Sequence, residues 1–452
     1  MDPLDLLKEF NQSFTLFIVF PSIILIGIYL TLRLRFVQMT HIKKSFQCFT
    51  QSNSLSEGNI SRFRAISSVL AGNLGTGNIS GMAVAISTGG PGALVWMWVM
   101  VFFGAVIQYV SCVLGVSYRQ KTASGEYVGG PMYYLRDGLG YKKLATLFSL
   151  LTIFGAIAIG NLAQINSVIL PLQKLGFNPF YCSIVIAGIV ALVVLGGIQR
   201  ISSFAGYIVP FKAILYLGTA LTIIGFHHQQ ILPALKLMFE EAFGLSAFTG
   251  GILGTGVLKA ITTGFDRGLF ATDAGLGIVP ILQASAKSEH PVIDGISTLI
   301  APVVVMIVCT ATGLVLIVTG AWQEVGLQST NMVTYAFSKG LDNPIGGYIV
   351  MIALILFAFT TIMAWCYCGE KALHFITGKD RANWFRCFFI AIVPIGSLLQ
   401  VDLIWTLADV AVSLMLTINL IGVVGLSRGV IHSTREYKKA SKSLALASVT
   451  DD

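Results

Sequence analysis

Long apolar stretches alternate with short polar connections along almost the whole chain. Each stretch is roughly 20 residues long, the length that an α-helix needs to cross the hydrocarbon core of a bilayer. The pattern predicts an all-α integral membrane protein with eleven transmembrane helices. These predicted spans, numbered 1 to 11 in chain order, cover residues 14–32, 64–88, 92–118, 144–169, 180–197, 206–226, 246–264, 296–318, 345–367, 384–400 and 404–427.

The second span carries residues that weaken helices. Its sequence at residues 71–81 is AGNLGTGNISG, and each glycine inside a helix costs about 1 kcal/mol relative to alanine. Backbone groups that are freed inside a bilayer must be satisfied by protein, ions or water. A break near Leu74–Gly77 would offer amides that suit a carboxylate and, near Ala71–Leu74, carbonyls that suit a small cation. Close helix packing is the alternative, but it does not explain the asparagines.

The tetrapeptide LGTG occurs twice, at residues 74–77 in span 2 and at residues 253–256 in span 7. The two copies are five spans apart, so the spans that carry them cross the membrane in opposite directions. Glycine-interrupted spans at matching positions of two inverted halves indicate a transporter site near the bilayer midplane. We therefore expect an accessory first helix, then two inverted five-helix repeats that each begin with a broken helix. A chance match is the alternative, because the chain has 47 glycines.

Lysine and arginine in the connections indicate the orientation, because cytoplasmic loops carry an excess of them. The side opposite to the basic side holds only Lys8, Lys174, Lys236 and Lys339. We expect a multi-pass protein of a prokaryotic plasma or inner membrane, with the N-terminus outside and the C-terminus in the cytoplasm. The predicted divisions are the N-terminus with the accessory helix and a cytoplasmic linker (1–63), the two repeats (64–226 and 227–427) and a cytoplasmic tail (428–452).

Composition argues against several other classes of protein. The chain of 452 residues is 55% hydrophobic and 11% charged, whereas soluble domains carry about 25% charged residues. The net charge of +8 is spread over short connections, so it does not indicate binding to nucleic acid. The seven cysteines form no CxxC motif. The spans hold no HExxH or GxSxG motif of an enzyme and no ring of like charges as in a channel.

Five longer motifs carry a family resemblance. They are GNLGTGNISGMAVAISTGGPGALVWMWV (72–99), GGPMYYLRDGLG (129–140), RGLFATDAGLGIVP (267–280), HPVIDG (290–295) and FAFTTIMAWCYCGEK (357–371). Together they resemble the alanine or glycine:cation symporters, also called sodium:alanine symporters, over nearly the whole chain. The resemblance implies secondary transport of alanine and glycine driven mainly by sodium. It also implies a five-plus-five inverted repeat of the leucine-transporter type with one extra helix, as the spans predict.

The resemblance further implies where the substrate and the ion bind. The implied substrate-binding residues are Asn73, Gly75, Thr76, Gly77, Gln164, Thr249, Gly250, Gly251, Ile252, Thr361 and Trp365, with residues 249–252 as the unwound part of span 7. The implied sodium ligands are Ala71, Leu74, Asn78, Thr360 and Thr361. Chemistry alone leaves other interpretations open. The glutamine could be bonded to a neighbouring helix, the threonines could bond to carbonyls of their own helix, and the tryptophan could be an interfacial anchor.

The chain departs from the family pattern at several positions. Gln108 and Ser111 stand where many members carry Lys and Glu, and Val304 and Val412 replace a frequent Asp and Asn. The usual SNEAGLGSAP is ATDAGLGIVP here, in a connection expected to be cytoplasmic and close to an inner gate. These departures leave the coupling ion and the exact substrate open.

The expected function is cation-coupled, in the first place sodium-coupled, symport of a small neutral amino acid such as alanine or glycine across a lipid membrane. Three alternatives on the same fold remain. They are a proton-coupled amino-acid transporter, an uncoupled one, and a nutrient sensor that has lost transport.

Overall fold

The computed structural model describes residues 3–50, 57–244, 255–378 and 381–450. In this part of the chain nearly all secondary structure is helical, as the apolar pattern predicts. The helices that precede a short hairpin are α1 (Pro3–Phe14), α2 (Phe20–Arg33), α3 (Val37–Thr40), α4 (Ile42–Thr50), α5 (Arg62–Asn73), α6 (Ser80–Gly89) and α7 (Ala93–Ser117). The hairpin pairs two antiparallel strands, β1 (Gln120–Lys121) and β2 (Tyr127–Val128).

The middle of the chain continues with six helices. They are α8 (Pro131–Tyr133), α9 (Lys142–Ile157), α10 (Ala163–Lys174), α11 (Pro179–Val194), α12 (Gly197–Phe226) and α13 (Ile231–Phe243). The remaining helices are α14 (Thr255–Thr272), α15 (Ile278–Gln283), α16 (Pro291–Thr298), α17 (Ile300–Val318), α18 (Ser329–Gly340), α19 (Ile345–Thr377), α20 (Ala382–Ile392) and α21 (Val401–Thr450). Helix α21 extends through most of the predicted tail.

Short π and 3-10 turns connect several of these helices. The π-helical turns are Thr15–Val19, Tyr134–Gly138 and Ala158–Leu162, and the 3-10 turns are Thr76–Asn78, His228–Gln230, Ala321–Gln323 and Val393–Ser397. Turns of the π type join α1 to α2 and α9 to α10, so each of these pairs forms one continuous helical rod, Pro3–Arg33 and Lys142–Lys174.

Seven helical runs in the described residues are long and apolar enough to cross a membrane. They are Pro3–Arg33, Ala93–Ser117, Lys142–Lys174, Gly197–Phe226, Pro291–Val318, Ile345–Thr377 and Val401–Ala440. Two shorter apolar helices, Pro179–Val194 and Ala382–Ser397, match predicted spans 5 and 10. The full count of eleven spans stays a prediction.

Burial distinguishes the centre of the bundle from its periphery. Within its most apolar window, α7 is 83% buried, whereas the run Pro3–Arg33 is 33% buried. Helix α7 therefore lies in the interior, and the first long rod lies at the edge, where an accessory helix is expected.

The predicted break in span 2 is present. Helix α5 ends at Asn73 and α6 begins at Ser80, with Gly75 in an extended conformation and a 3-10 turn over Thr76–Asn78. A second break follows α14, over residues 273–277. There Asp273, Gly275 and Gly277 have φ values of +50°, +88° and +92°, a left-handed conformation that glycine adopts without steric cost.

The position of this second break corrects the sequence analysis. Residues 265–295 were expected to form a cytoplasmic connection, but they hold the end of α14, the break, α15 and the start of α16. The two charged residues Asp266 and Arg267 lower the mean hydropathy of this stretch, although both are buried inside the bundle. The predicted site residues Thr249, Gly250, Gly251 and Ile252 lie outside the described residues.

A cluster of charged side chains joins α19, α20 and the hairpin. Lys371 contacts Glu126 at 2.6 Å and Glu370 at 2.8 Å, and Glu370 contacts Arg386 at 2.7 Å. The side chain of Glu370 is 3% exposed. Removal of one partner leaves the other charges buried without compensation, which typically costs about 3–5 kcal/mol.

We expect Glu370→Gln to lower the melting temperature of the purified protein in detergent, as measured by intrinsic fluorescence. The matched control is Glu240→Gln, because Glu240 is 39% exposed and lies 3.6 Å from Lys236 on the same helix. A surface pair of that kind contributes about 1 kcal/mol or less. Equal melting temperatures for the two variants would contradict a stabilising role of the cluster.

Candidate functional site

The break in span 2 frees carbonyls at the end of α5, and two of them accept from α19. Thr361 Oγ1 donates to the carbonyl of Ala71 at 2.9 Å and to the carbonyl of Gly72 at 3.2 Å. Thr361 is 2% exposed. The hydroxyl predicted to bind substrate and sodium thus closes the end of a broken helix in this conformation.

Asn78 satisfies two more carbonyls from the other side of the break. Its Nδ2 donates to the carbonyl of Asn73 at 2.8 Å and to that of Gly75 at 3.1 Å. Its own carbonyl accepts from Thr312 Oγ1 at 3.0 Å, and the thiol of Cys309 lies 3.2 Å from its Oδ1. Asn78 therefore fixes the shape of the unwound segment and ties it to α17.

The last freed carbonyl, that of Leu74, accepts from Lys212 Nζ at 2.7 Å. Lys212 lies on α12, is fully buried and also donates to Thr360 Oγ1 of α19. Its ammonium lies 4.6 Å from the centre of the Phe357 ring. Lys212 is absent from the predicted site residues, although an ionisable residue inside a predicted span is a functional candidate by default.

On the amide side of the break, Gln164 of α10 contacts Thr76. Gln164 Oε1 accepts from the Thr76 amide at 2.9 Å and from the Thr76 hydroxyl at 3.0 Å, and Gln164 Nε2 donates to the carbonyl of Ile159 at 3.0 Å. Ile159 belongs to a π-helical turn. The amide of Gly75 has no hydrogen-bond partner in the described part of the chain.

Both central glycines of the motif are closely surrounded. An added Cβ at Gly75 would lie 2.9 Å from Thr361 Oγ1 and 3.0 Å from Gln164 Oε1. An added Cβ at Gly77 would lie 2.4 Å from the ring of Phe270. Little space therefore remains beside the unwound backbone, and the two atoms nearest to that position at Gly75 are polar oxygens.

Trp365 lies on α19 one turn beyond Thr361. It is fully buried, which does not fit an anchor at the membrane surface. An added Cβ at Gly160 would lie 2.1 Å from Trp365 Cβ, so the indole packs on the π-helical turn that also supports Gln164.

The second break faces the first. Asn73 Nδ2 donates to the carbonyl of Thr272 at 2.6 Å, and the next residue, Asp273, is 2% exposed. Oδ1 of Asp273 and Oδ1 of Asn73 are both buried without a hydrogen-bond partner among the described residues. Burial of a carboxylate without a partner is costly, so the Asp273 oxygen is suited to a cationic ligand, and the Asn73 oxygen is a further free acceptor beside the breaks. Asp273 is absent from the predicted site residues because the hydropathy of this segment predicts a connecting loop.

Two of the departures from the family pattern, Ser111 and Gln108, form hydrogen bonds between helices, and the partner of Ser111 also bonds to the second break. Asn419 Nδ2 of α21 donates to the carbonyl of Gly275 at 2.6 Å and to Ser111 Oγ at 2.8 Å. Gln108 Nε2 donates to the carbonyl of Thr298 at 2.9 Å. Val412 is 2% exposed in an apolar part of the bundle. Val304 is partly buried against the same core.

A cavity of about 310 Å³ lies beyond Phe270, at the end of the bundle where Lys8 pairs with Asp402 at 2.8 Å. Trp405 and the ion pair of Arg267 and Asp409 line it, and the Trp405 ring lies 4.7 Å from the ring of Phe270, which in turn lies against Gly77 of the first break. Arg267 was expected on the opposite side, in a cytoplasmic connection. The cavity is lined by Lys8, Asn11, Gln12, Val84, Thr88, Thr262, Thr263, Asp266, Arg267, Asp402, Trp405, Thr406 and Asp409.

Comparison with known proteins places the chain among transporters. The model of the sodium:alanine symporter family matches residues 3–450. The sodium/alanine symporter AgcS of Methanococcus maripaludis is 38% identical over 93% of this chain and 94% of its own length. The probable sodium/glutamine symporter GlnT of Bacillus subtilis is 30% identical over 92% of this chain and 87% of its own length.

A solved structure shows the fold. MhsT in complex with L-phenylalanine superposes with a TM-score of 0.61 at 12% sequence identity, over 82% of this chain and 89% of MhsT. The all-helical chain thus has the architecture of transporters of the leucine-transporter type.

Proposed function

We propose that this chain, which belongs to the sodium:alanine symporter family, carries small neutral amino acids such as alanine and glycine together with a cation, in the first place sodium. Because it belongs to this family, the chain is a multi-pass membrane protein and a secondary transporter of amino acids. The choice of substrate, the ion and the binding residues are the proposed part.

One observation carries the choice of a zwitterionic substrate: two unwound helix segments meet in the interior and offer opposite chemistry. The free amide of Gly75 suits a carboxylate, and the unpartnered oxygens of Asn73 and Asp273 suit an ammonium group. Residues 249–252, which the family resemblance implies at the substrate site, lie outside the described residues and stay a prediction.

Lack of space supports a small side chain on the substrate. An added Cβ at Gly75 would lie 2.9 Å from Thr361 Oγ1 and 3.0 Å from Gln164 Oε1. The ring of Phe270 leaves no room for a Cβ at Gly77. A bulky amino acid would have to displace both Phe270 and the helices behind it. We therefore expect alanine and glycine to be preferred over glutamine, the amino acid in the printed name of the relative GlnT.

The cavity on the far side of Phe270 supports a route for substrate. In the proposed orientation, with the N-terminus outside, this cavity opens to the exterior and the pair of Arg267 and Asp409 closes it from the site. The charged cluster around Glu370 lies at the other end. Rocking of the broken helices would open one end while the other stays closed.

A second candidate is amino-acid transport that sodium does not drive. The position of Lys212 favours it, because the ammonium occupies the oxygens of Leu74 and Thr360 that were predicted to hold sodium.

Uptake into proteoliposomes tests both candidates. Purified protein is reconstituted, and accumulation of radiolabelled alanine, glycine and glutamine is measured with an inward sodium gradient, an inward proton gradient, or neither. We expect accumulation of alanine and glycine above the external concentration when sodium is supplied. Accumulation that is the same with and without the sodium gradient would support the second candidate. Absence of both binding and uptake for all three amino acids would refute the proposed transport.

A further inference from the structure

We propose that the ammonium of Lys212 is a built-in replacement for a sodium ion at the end of α5, and that any sodium carried by the protein binds elsewhere. The inference deepens the proposed function and rests on it, because it concerns which cation holds the broken helix during amino-acid transport. It assigns to Lys212 a positioning role that determines the ion specificity of this site.

The contacts of Lys212 match those of a bound cation. Nζ donates to the carbonyl of Leu74 at 2.7 Å and to Thr360 Oγ1, and its third side faces the ring of Phe357 at 4.6 Å. A carbonyl at a helix C-terminus and a hydroxyl oxygen are hard ligands of the type that sodium prefers, and the aromatic face adds a favourable cation–π contact. The ammonium joins α5, α12 and α19 at one point.

The neighbouring predicted ligands are also engaged. The carbonyl of Ala71 accepts from Thr361 Oγ1 at 2.9 Å, so the proton of the hydroxyl and one lone pair of the carbonyl are already used. Thr360 Oγ1 donates to the carbonyl of Leu356 at 3.1 Å while it accepts from Lys212. In this conformation sodium could enter only after Lys212 has left.

Electrostatics prevents the two cations from sharing the site. Two unit charges about 4 Å apart repel strongly enough to weaken binding roughly a thousandfold at an effective dielectric constant of 20. No carboxylate of the described residues forms an ion pair with Lys212, so none offsets a second charge. Helices α5, α11, α12, α17 and α18 contain no Asp or Glu, and Glu370, the one acidic residue of α19, is paired with Lys371 and Arg386.

The test removes the ammonium and supplies cations from solution. Binding of radiolabelled alanine to purified protein is measured by scintillation proximity for the wild type, Lys212→Ala and Lys236→Ala. Sodium is varied against choline at constant ionic strength, and methylammonium is added in a parallel series. Lys236 is the matched control, because its side chain is 74% exposed.

We expect Lys212→Ala to bind alanine at least tenfold more weakly than the wild type without added cations. Sodium or methylammonium should restore most of this loss, and the additional change Thr360→Ala should abolish the rescue. The wild type and Lys236→Ala should not respond to methylammonium. If Lys212→Ala responds to both cations as the wild type does, the inference is wrong.

A single variant that keeps the lysine makes the test independent of whether Lys212→Ala folds. Thr360→Ala should weaken alanine binding but leave the sodium concentration for half-maximal binding within about twofold of the wild type. A tenfold shift of that concentration would place sodium at Thr360 and overturn the inference, while alanine binding itself would still support the proposed function. A wild type that binds no amino acid would instead refute the proposed function.

Discussion

Replacement of Gly75 by alanine should reduce alanine uptake into proteoliposomes by more than tenfold. The added methyl group would lie 2.9 Å from Thr361 Oγ1 and 3.0 Å from Gln164 Oε1, closer than a methyl group can approach without movement. It would also stand beside the free amide that is proposed to bind the substrate carboxylate. Extra methyl groups in a well-packed interior typically cost about 1–3 kcal/mol.

The matched control for Gly75 is Gly218→Ala in α12. No heavy atom lies within 4 Å of an added Cβ at Gly218, and alanine favours a helix over glycine. Uptake by Gly218→Ala should therefore equal that of the wild type, with a melting temperature at least as high. If Gly75→Ala folds and transports alanine at the wild-type rate, the unwound segment is not the substrate site.

Asp273→Asn is the second change with a large expected effect. The substitution keeps the size of the side chain, and asparagine tolerates the left-handed backbone at this position. It removes the negative charge that is proposed to meet the substrate ammonium. Loss of one partner of a buried charged contact typically costs about 2–5 kcal/mol, so alanine binding should weaken by at least about thirtyfold.

Asp342→Asn is a close control for Asp273, because both aspartates have φ values of +50° while Asp342 is exposed. Alanine binding, measured by isothermal titration calorimetry, should be unchanged in Asp342→Asn. Wild-type affinity in a folded Asp273→Asn protein would show that the carboxylate does not contact the substrate. The ammonium site would then have to be sought elsewhere along the breaks.

The first break could be predicted from local sequence because its cause is local. Four glycines and two asparagines within residues 71–81 weaken one helix, and no distant contact is needed to see it. The contact between Gln164 and Thr76 could be expected only from the family resemblance. Nothing in the local sequence shows that residues 88 positions apart meet.

The second break was missed for a physical reason. Hydropathy counts Asp266 and Arg267 as polar, whereas in the bundle Asp266 accepts from Thr15 Oγ1 at 2.7 Å and Arg267 pairs with Asp409. Thr15 lies in the π turn between α1 and α2, and Asp409 lies in α21. A charged residue that is buried with a partner therefore has the same hydropathy as one in an exposed loop, and only the position of the partner distinguishes the two.

Lys212 shows the same difference between sequence and structure at the ion site. The break predicted free carbonyls near residues 71–74, and the family resemblance implied that Thr360 and Thr361 lie beside them. The sequence did not show that a lysine from α12, 138 residues beyond Leu74, reaches the carbonyl of Leu74.

Sequence alone determined that the chain is a helical membrane protein, which stretch of span 2 unwinds and which family it resembles, because these features depend on neighbouring residues. Tertiary structure decided where the second break lies, which side chains bond to the freed carbonyls and which oxygens remain without a partner. Those contacts join residues 138 to 290 positions apart, and only the packing of the helices brings them together.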